Sequence, residues 1–153
     1  MKSNIVLKKE SPFRRFWPLV FVAALLCGCS TVKFVADYDS TTLNKTLDAA
    51  KEVDLFYGKL LEAPETSRAY AKYADQYVTI EVDLRALVSR NKSRTLNDES
   101  TTISSNIVKL WDDCWAAHKA NNAYKSGMAK LDRDNFSDQF QSAEQAEIAK
   151  QSK

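Results

Sequence analysis

The side chains best suited to chemistry lie in one short stretch, residues 111–118. Cys114 and His118 are four residues apart, so a helix would place both on one face, with Asp112 and Asp113 nearby. Such a pair could bind a metal or act as nucleophile and base. A zinc site needs three or four protein ligands, and His118 is the chain's single histidine. We therefore predict no catalytic residue, no metal and no cofactor, and interpret Cys114 as a small buried side chain.

Two sets of aromatic residues could contact a ligand or a partner instead. Tyr70, Tyr73 and Tyr77 follow at steps of three and four, so they would share one helix face. This row is either a ligand-binding surface or part of the core, and its spacing favours the core. Trp111 and Trp115 are the residues we single out for a partner surface, because tryptophan often anchors interfaces. The alternative, that both tryptophans are buried in the core, is the interpretation that we favour.

The elements that would position these residues are helices. From residue 40 onward the chain has two glycines and one proline, which is too few for many short strands and turns. Apolar residues recur at intervals of three and four in three segments, about 40–62, 65–90 and 98–120. Pro64 separates the first two segments, and polar residues 91–97 separate the next two. Thr95 and Asp98 have the spacing of a capping box at the start of the third.

Each segment has an apolar face that should line the core. In the first it is Leu43, Leu47, Ala50, Val53, Phe56, Tyr57, Leu60 and Leu61. In the second it is the tyrosine row followed by Ile80, Leu84 and Leu87. In the third it is Ile103, Ile107, Leu110, Cys114 and Ala117, with the two tryptophans beside it.

The C-terminal part of the chain is less regular. The third helix could end at Asn121-Asn122, at Gly127 or beyond. Residues 132–153 would form either a fourth helix, docked through Phe136 and Phe140, or a tail. Segments of matched length with short connections favour antiparallel neighbours. The predicted fold is all-α, an up-down-up antiparallel three-helix bundle over residues 40–153 with its core in 40–131, and a fourth helix is left open.

The net charge of +2 is concentrated at the N-terminus. Residues 1–28 contain five basic residues and one acidic residue. The remainder has 17 basic and 19 acidic side chains, and its basic residues are scattered. Phosphate binding needs a concentrated positive face, so we predict no nucleic-acid partner.

The N-terminal residues have the layout of an export signal. The basic residues precede an uncharged run from Phe16 to Leu26, which contains Pro18. This run is shorter than the roughly 20 apolar residues that a membrane-spanning helix needs. The sequence Leu26-Cys27-Gly28-Cys29 that follows resembles the lipobox of bacterial lipoprotein precursors, although Cys27 is unusual at its position. The resemblance covers the signal alone.

That resemblance implies that residues 1–28 are a signal peptide and that Cys29 receives a diacylglyceryl group after cleavage. Modification of Cys27 instead would place the large Leu26 where a small residue is required, so Cys29 is favoured. Ser30, rather than Asp, after the cysteine implies transport to the outer membrane, facing the periplasm, rather than retention at the inner membrane. Residues 29–39 would then be a lipidated tether.

Two functions fit these expectations. The first is a non-enzymatic interaction or structural module that is held to the membrane through Cys29 and binds another protein of the bacterial envelope. The alternative is a carrier of a lipid or other apolar ligand, which would need a cavity of a few hundred Å3, as in typical ligand sites, between its helices.

Overall fold

The computed structural model describes residues 34–152. Within this range the chain forms four α-helices and no strand: α1 (Ser40–Glu62), α2 (Ala74–Lys92), α3 (Asp98–Asn121) and α4 (Ser126–Ile148). Short 3-10 turns lie at Glu65–Ser67, Tyr70–Lys72 and Ala149–Ser152. The all-α prediction is confirmed, and the open question at the C-terminus is answered by a fourth helix.

The four helices close into an up-down-up-down bundle. Each helix packs against its neighbour in sequence, and α4 also packs against α1. The tail alternative for residues 132–153 is therefore wrong. The expected boundary between residues 131 and 132 falls inside α4, whose Ala129, Phe136 and Phe140 are all buried.

Three helix ends agree with the sequence, whereas the start of α3 does not. α1 begins after Asp39, whose carboxylate accepts a hydrogen bond from the Thr41 N–H at 3.0 Å. It ends before Pro64, as predicted. α3 ends at Asn121 because Asn122 adopts the left-handed conformation, with φ 48°. The capping box is wrong, since α3 begins after Asn97 and makes no side-chain cap.

The start of the second helix also differs from the expectation. Residues 65–73 form two 3-10 turns, and α2 begins at Ala74 rather than at Glu65. The buried guanidinium of Arg68 donates hydrogen bonds to the carbonyls of Leu61 and Ala63 at the end of α1. These hydrogen bonds hold residues 65–73 across the end of the bundle. In that position the residues cannot continue the α2 helix.

Aromatic rings fill the centre of the core. Phe56, Tyr77 and Trp111 lie with their ring centroids 4.8 to 5.1 Å apart. Around them, the buried face of α3 includes Ile107 and Cys114 as predicted, but Ser104 and His118 are buried while Ile103 and Leu110 are only partly buried. This face consists of Ser100, Ser104, Ile107, Val108, Trp111, Cys114 and His118. At the start of α1, Thr42 and Thr46 are buried while Leu47 is 43% exposed.

Candidate functional site

The tyrosine row and the histidine meet at one end of the bundle. We call it the tyrosine end; it contains the connections 63–73 and 122–125. Tyr73 and Tyr77 are buried and Tyr70 is partly buried. All three rings lie 5.7 to 5.8 Å from the imidazole of His118, measured between centroids. The row therefore surrounds His118, a relationship that the sequence did not indicate.

His118 links three elements through its two ring nitrogens. It is 1% exposed, with Nε2 2.8 Å from the carbonyl oxygen of Arg68 and Nδ1 3.1 Å from the hydroxyl of Tyr77. A carbonyl can only accept, so Nε2 carries the proton and Nδ1 of the neutral ring accepts from Tyr77. Burial lowers the pKa of His118 and outweighs the opposite effect of the Arg68 carbonyl. The arrangement favours a neutral, fixed imidazole.

A second buried network lies beside it. The Tyr124 hydroxyl donates to Oδ2 of Asp132 at 2.5 Å, and the hydroxyls of Tyr57 and Tyr124 are 3.4 Å apart. Burial raises the pKa of the neighbouring Cys114 thiol to about 11. The thiolate is the reactive form of cysteine, so this environment keeps Cys114 protonated and weakly nucleophilic at neutral pH.

The two tryptophans differ in position. Trp111 is 0% exposed, and its indole N–H donates to the carbonyl of Tyr77 at 3.2 Å. A fully buried indole cannot touch a partner while the bundle is folded, so the partner-binding interpretation of Trp111 is wrong and its core alternative applies. Trp115 is partly buried at the edge of the core and stacks on Tyr77, with centroids 5.5 Å apart and planes 10° apart.

Around Trp115 the tyrosine end presents a mixed aromatic and polar surface. The indole N–H of Trp115 donates to the Tyr70 hydroxyl at 2.9 Å. The ammonium of Lys119 lies 5.9 Å from the centre of the Tyr70 ring. The Tyr70 N–H donates to the exposed Asn122 side chain at 3.0 Å. We call these four residues the aromatic patch; they combine rigid rings with exposed polar groups, as protein-binding surfaces do.

The opposite end of the bundle has a cluster of charged side chains. Glu147 is 1% exposed and accepts hydrogen bonds from Arg94 at 3.0 Å and from Lys150 at 2.6 Å. It also accepts one from the N–H of Asp39 at 2.8 Å. The Asp39 carboxylate in turn pairs with Arg90 at 2.5 Å. These five residues are called the tether clamp.

The clamp fixes residues that were expected to be part of a tether. Arg94 donates to the carbonyl of Asp37, and the N–H of Ala36 donates to the carbonyl of Leu96 at 2.9 Å. Residues 36–39 are therefore bound to the bundle, so the described part of the predicted tether 29–39 is not a free linker. Cys29, the predicted lipidation site, lies outside the described residues.

Both carboxylates of the clamp have low pKa values. Burial alone would raise the pKa of Glu147, but the hydrogen bonds from Arg94 and Lys150 outweigh it and lower the pKa. The Thr42 hydroxyl and the Arg90 guanidinium hold the pKa of Asp39 well below its usual value. Charge-assisted hydrogen bonds of this kind are the stronger ones in proteins.

The buried charges were hard to predict from the sequence. Arg68, Arg94, Glu147 and Lys150 resemble surface residues, and their partners lie on other elements. The one local signal is the spacing of three between Glu147 and Lys150, which places them on one face of a helix.

Several observations bear on the other classes of function. Within residues 34–152, no three His, Cys, Asp or Glu residues are grouped so that they could hold a metal ion. No helix in that range is long and apolar enough to cross a membrane. A groove of about 540 Å3 lies between α1 and α2 and includes the exposed Lys45, Asp48 and Lys51. No family model, curated protein or solved structure matches the chain.

Proposed function

We propose that the chain is a bacterial lipoprotein whose bundle is a non-enzymatic interaction or structural module. In this proposal, lipid on Cys29 anchors it in the outer membrane, facing the periplasm, and its partner is another envelope protein. The lipobox-like residues 26–29 and the export signal before them support the anchor. The inner membrane is the less favoured location because Ser30 follows the cysteine.

The tether clamp is the observation that carries the proposal. Residues 36–39 are hydrogen-bonded to one end of the bundle, and four residues, 30–33, separate Cys29 from Phe34. A lipid on Cys29 would therefore be attached to the clamp end through a short connection. The aromatic patch lies at the other end, about one helix length or 35 Å away for the 23 residues of α1. This arrangement suits a protein that presents its far end to a partner.

The chemistry of the buried side chains supports a binding role over a catalytic one. General acid–base and nucleophilic catalysis need groups whose pKa values favour reaction near neutral pH. Burial shifts the pKa of Cys114 upward and that of His118 downward, so both stay neutral. The rings of the aromatic patch, in contrast, stay near the surface next to Lys119.

Site-specific crosslinking in cells tests the proposal. A photoreactive residue replaces Lys119, which is exposed in the aromatic patch, or Lys92, which is exposed near the clamp. We expect a defined adduct with one envelope protein from position 119 and much less from position 92. Trp115→Ala should lower the yield at position 119, because it removes the ring that fixes Tyr70. Equal adducts from both positions, or none from position 119, would count against the proposal.

A further inference from the structure

A groove at the tyrosine end has the properties of a small-molecule site. It lies where the end of α3 meets the start of α4 and has a volume of about 430 Å3. Its lining includes Ala117, Met128, Tyr124, His118 and Asp132. The space is large enough for a small organic molecule, and its walls combine apolar side chains with polar and charged ones.

Asp132 is the unusual member of this lining. It is 8% exposed, and its Oδ2 accepts the hydrogen bond from Tyr124. None of the ion pairs found among residues 34–152 includes it. The other buried carboxylate, Glu147, is paired with both Arg94 and Lys150. Buried carboxylates are normally paired, so Asp132 offers a place for a cation from solution.

We propose that this groove binds a small organic cation, an alkylammonium whose charged group meets Asp132. The ammonium N–H groups would donate to the carboxylate, the strongest type of hydrogen bond available there. The Tyr124 ring gives the same cation a favourable aromatic neighbour. The alkyl chain would lie along Ala117 and Met128, of which Met128 is 53% exposed.

Lys125 provides an internal check on this proposal. It also lines the groove, but none of the ion pairs found among residues 34–152 joins it to Asp132. Its positive charge would repel an incoming cation. Removal of this charge should therefore strengthen binding, whereas removal of the Asp132 charge should weaken it. A purely apolar site would respond to neither change.

The test is a titration of the purified full-length chain with n-butylammonium, followed through the amide chemical shifts of residues 117–132. The neutral analogue n-butanol measures the contribution of the apolar chain. We expect saturable binding of n-butylammonium and at least about tenfold weaker binding of n-butanol, as expected for loss of a charge-assisted contact. The same loss should follow Asp132→Asn, while Lys125→Ala should raise the affinity.

Asp138→Asn is the matched control, since Asp138 is an exposed carboxylate on the same helix. It should leave the affinity unchanged. Equal responses to the two probes, or an Asp132→Asn variant that binds as tightly as the natural chain, would overturn the proposal. Should Asp132→Asn fail to fold, Lys125→Ala decides: an unchanged or lower affinity rejects the site. The outcome does not depend on whether Cys29 carries lipid.

Discussion

His118 illustrates how single residues are fixed in this bundle by partners distant in sequence. Its ring contacts Tyr77 on α2 and the carbonyl of Arg68 in the connection before it. Both nitrogens are therefore satisfied in the neutral form, and protonation would remove the acceptor that Tyr77 needs. The sequence placed His118 on one helix face with Cys114, but it did not show that Tyr77 and Arg68 are its hydrogen-bonding partners.

The neutral state of His118 predicts a specific pH dependence of stability. Its pKa in the folded protein is below the ordinary 6.5, so the unfolded chain binds more protons as the pH falls through that value. The free energy of unfolding should therefore decrease below about pH 6.5. His118→Gln can still donate to the Arg68 carbonyl and accept from Tyr77, but it does not titrate. Urea unfolding between pH 8 and pH 5.5 should show a smaller decrease for the variant; equal decreases would refute this explanation.

For the individual helices, the spacing of residues along the chain correctly predicted the features that depend only on nearby residues. The bounds of α1 follow from Asp39 and Pro64, and the buried face of α2 from Tyr73 onward follows its apolar pattern. On α3, Ile107 and Cys114 are buried as predicted, but Ile103 is only partly buried, and the fully buried position beside it is Ser104. Its hydroxyl accepts a hydrogen bond from the buried Asn91 side chain at 3.2 Å. The local sequence pattern does not show that a residue has a hydrogen-bonding partner on another helix.

Arg68 holds the two 3-10 turns that precede α2, so a substitution of Arg68 tests this part of the fold. Its guanidinium also reaches the Tyr124 carbonyl and the Ser126 hydroxyl, at 3.1 and 3.0 Å. Lysine cannot satisfy all these acceptors, because it lacks the planar fork of donors. Arg68→Lys should lower the free energy of unfolding by about 1 to 3 kcal/mol, the cost of unsatisfied buried groups. Denaturant unfolding measures this change, and Arg85→Lys at an exposed site is the control. A loss no larger than that of the control would contradict the assigned role.

The tether clamp joins residues 36–39 to α2 and α4, and Glu147 is its centre. Glu147→Gln would leave Arg94 and Lys150 without their buried counter-charge. The free energy of unfolding should fall by about 3 kcal/mol, at the low end for breaking a buried pair because glutamine can still accept a hydrogen bond. The exposed pair of Asp113 with Lys109 is the control, and Asp113→Asn should cost less than about 1 kcal/mol. Exchange of the Asp39 amide hydrogen should also accelerate in Glu147→Gln. Unchanged exchange and an unchanged free energy of unfolding would show that the clamp does not hold residues 36–39.

At the scale of the whole molecule, the two ends of the bundle are built differently. One end holds residues 36–39 through buried ion pairs, and the other combines aromatic rings with exposed polar groups. The chain's N-terminal pattern predicts a location, and the bundle has its aromatic patch at the end opposite the tether clamp. The identity of the partner depends on surface complementarity, which apolar periodicity does not encode.

In the proposed function, the working protein begins at Cys29 and carries lipid there. Intact mass spectrometry of the protein extracted from bacterial membranes tests this directly. We expect a chain that lacks residues 1–28 and has the added mass of a diacylglyceryl group on residue 29, with a further acyl chain on its amine. A membrane-extracted chain that still begins at Met1, or one that begins at residue 29 without added lipid, would contradict it.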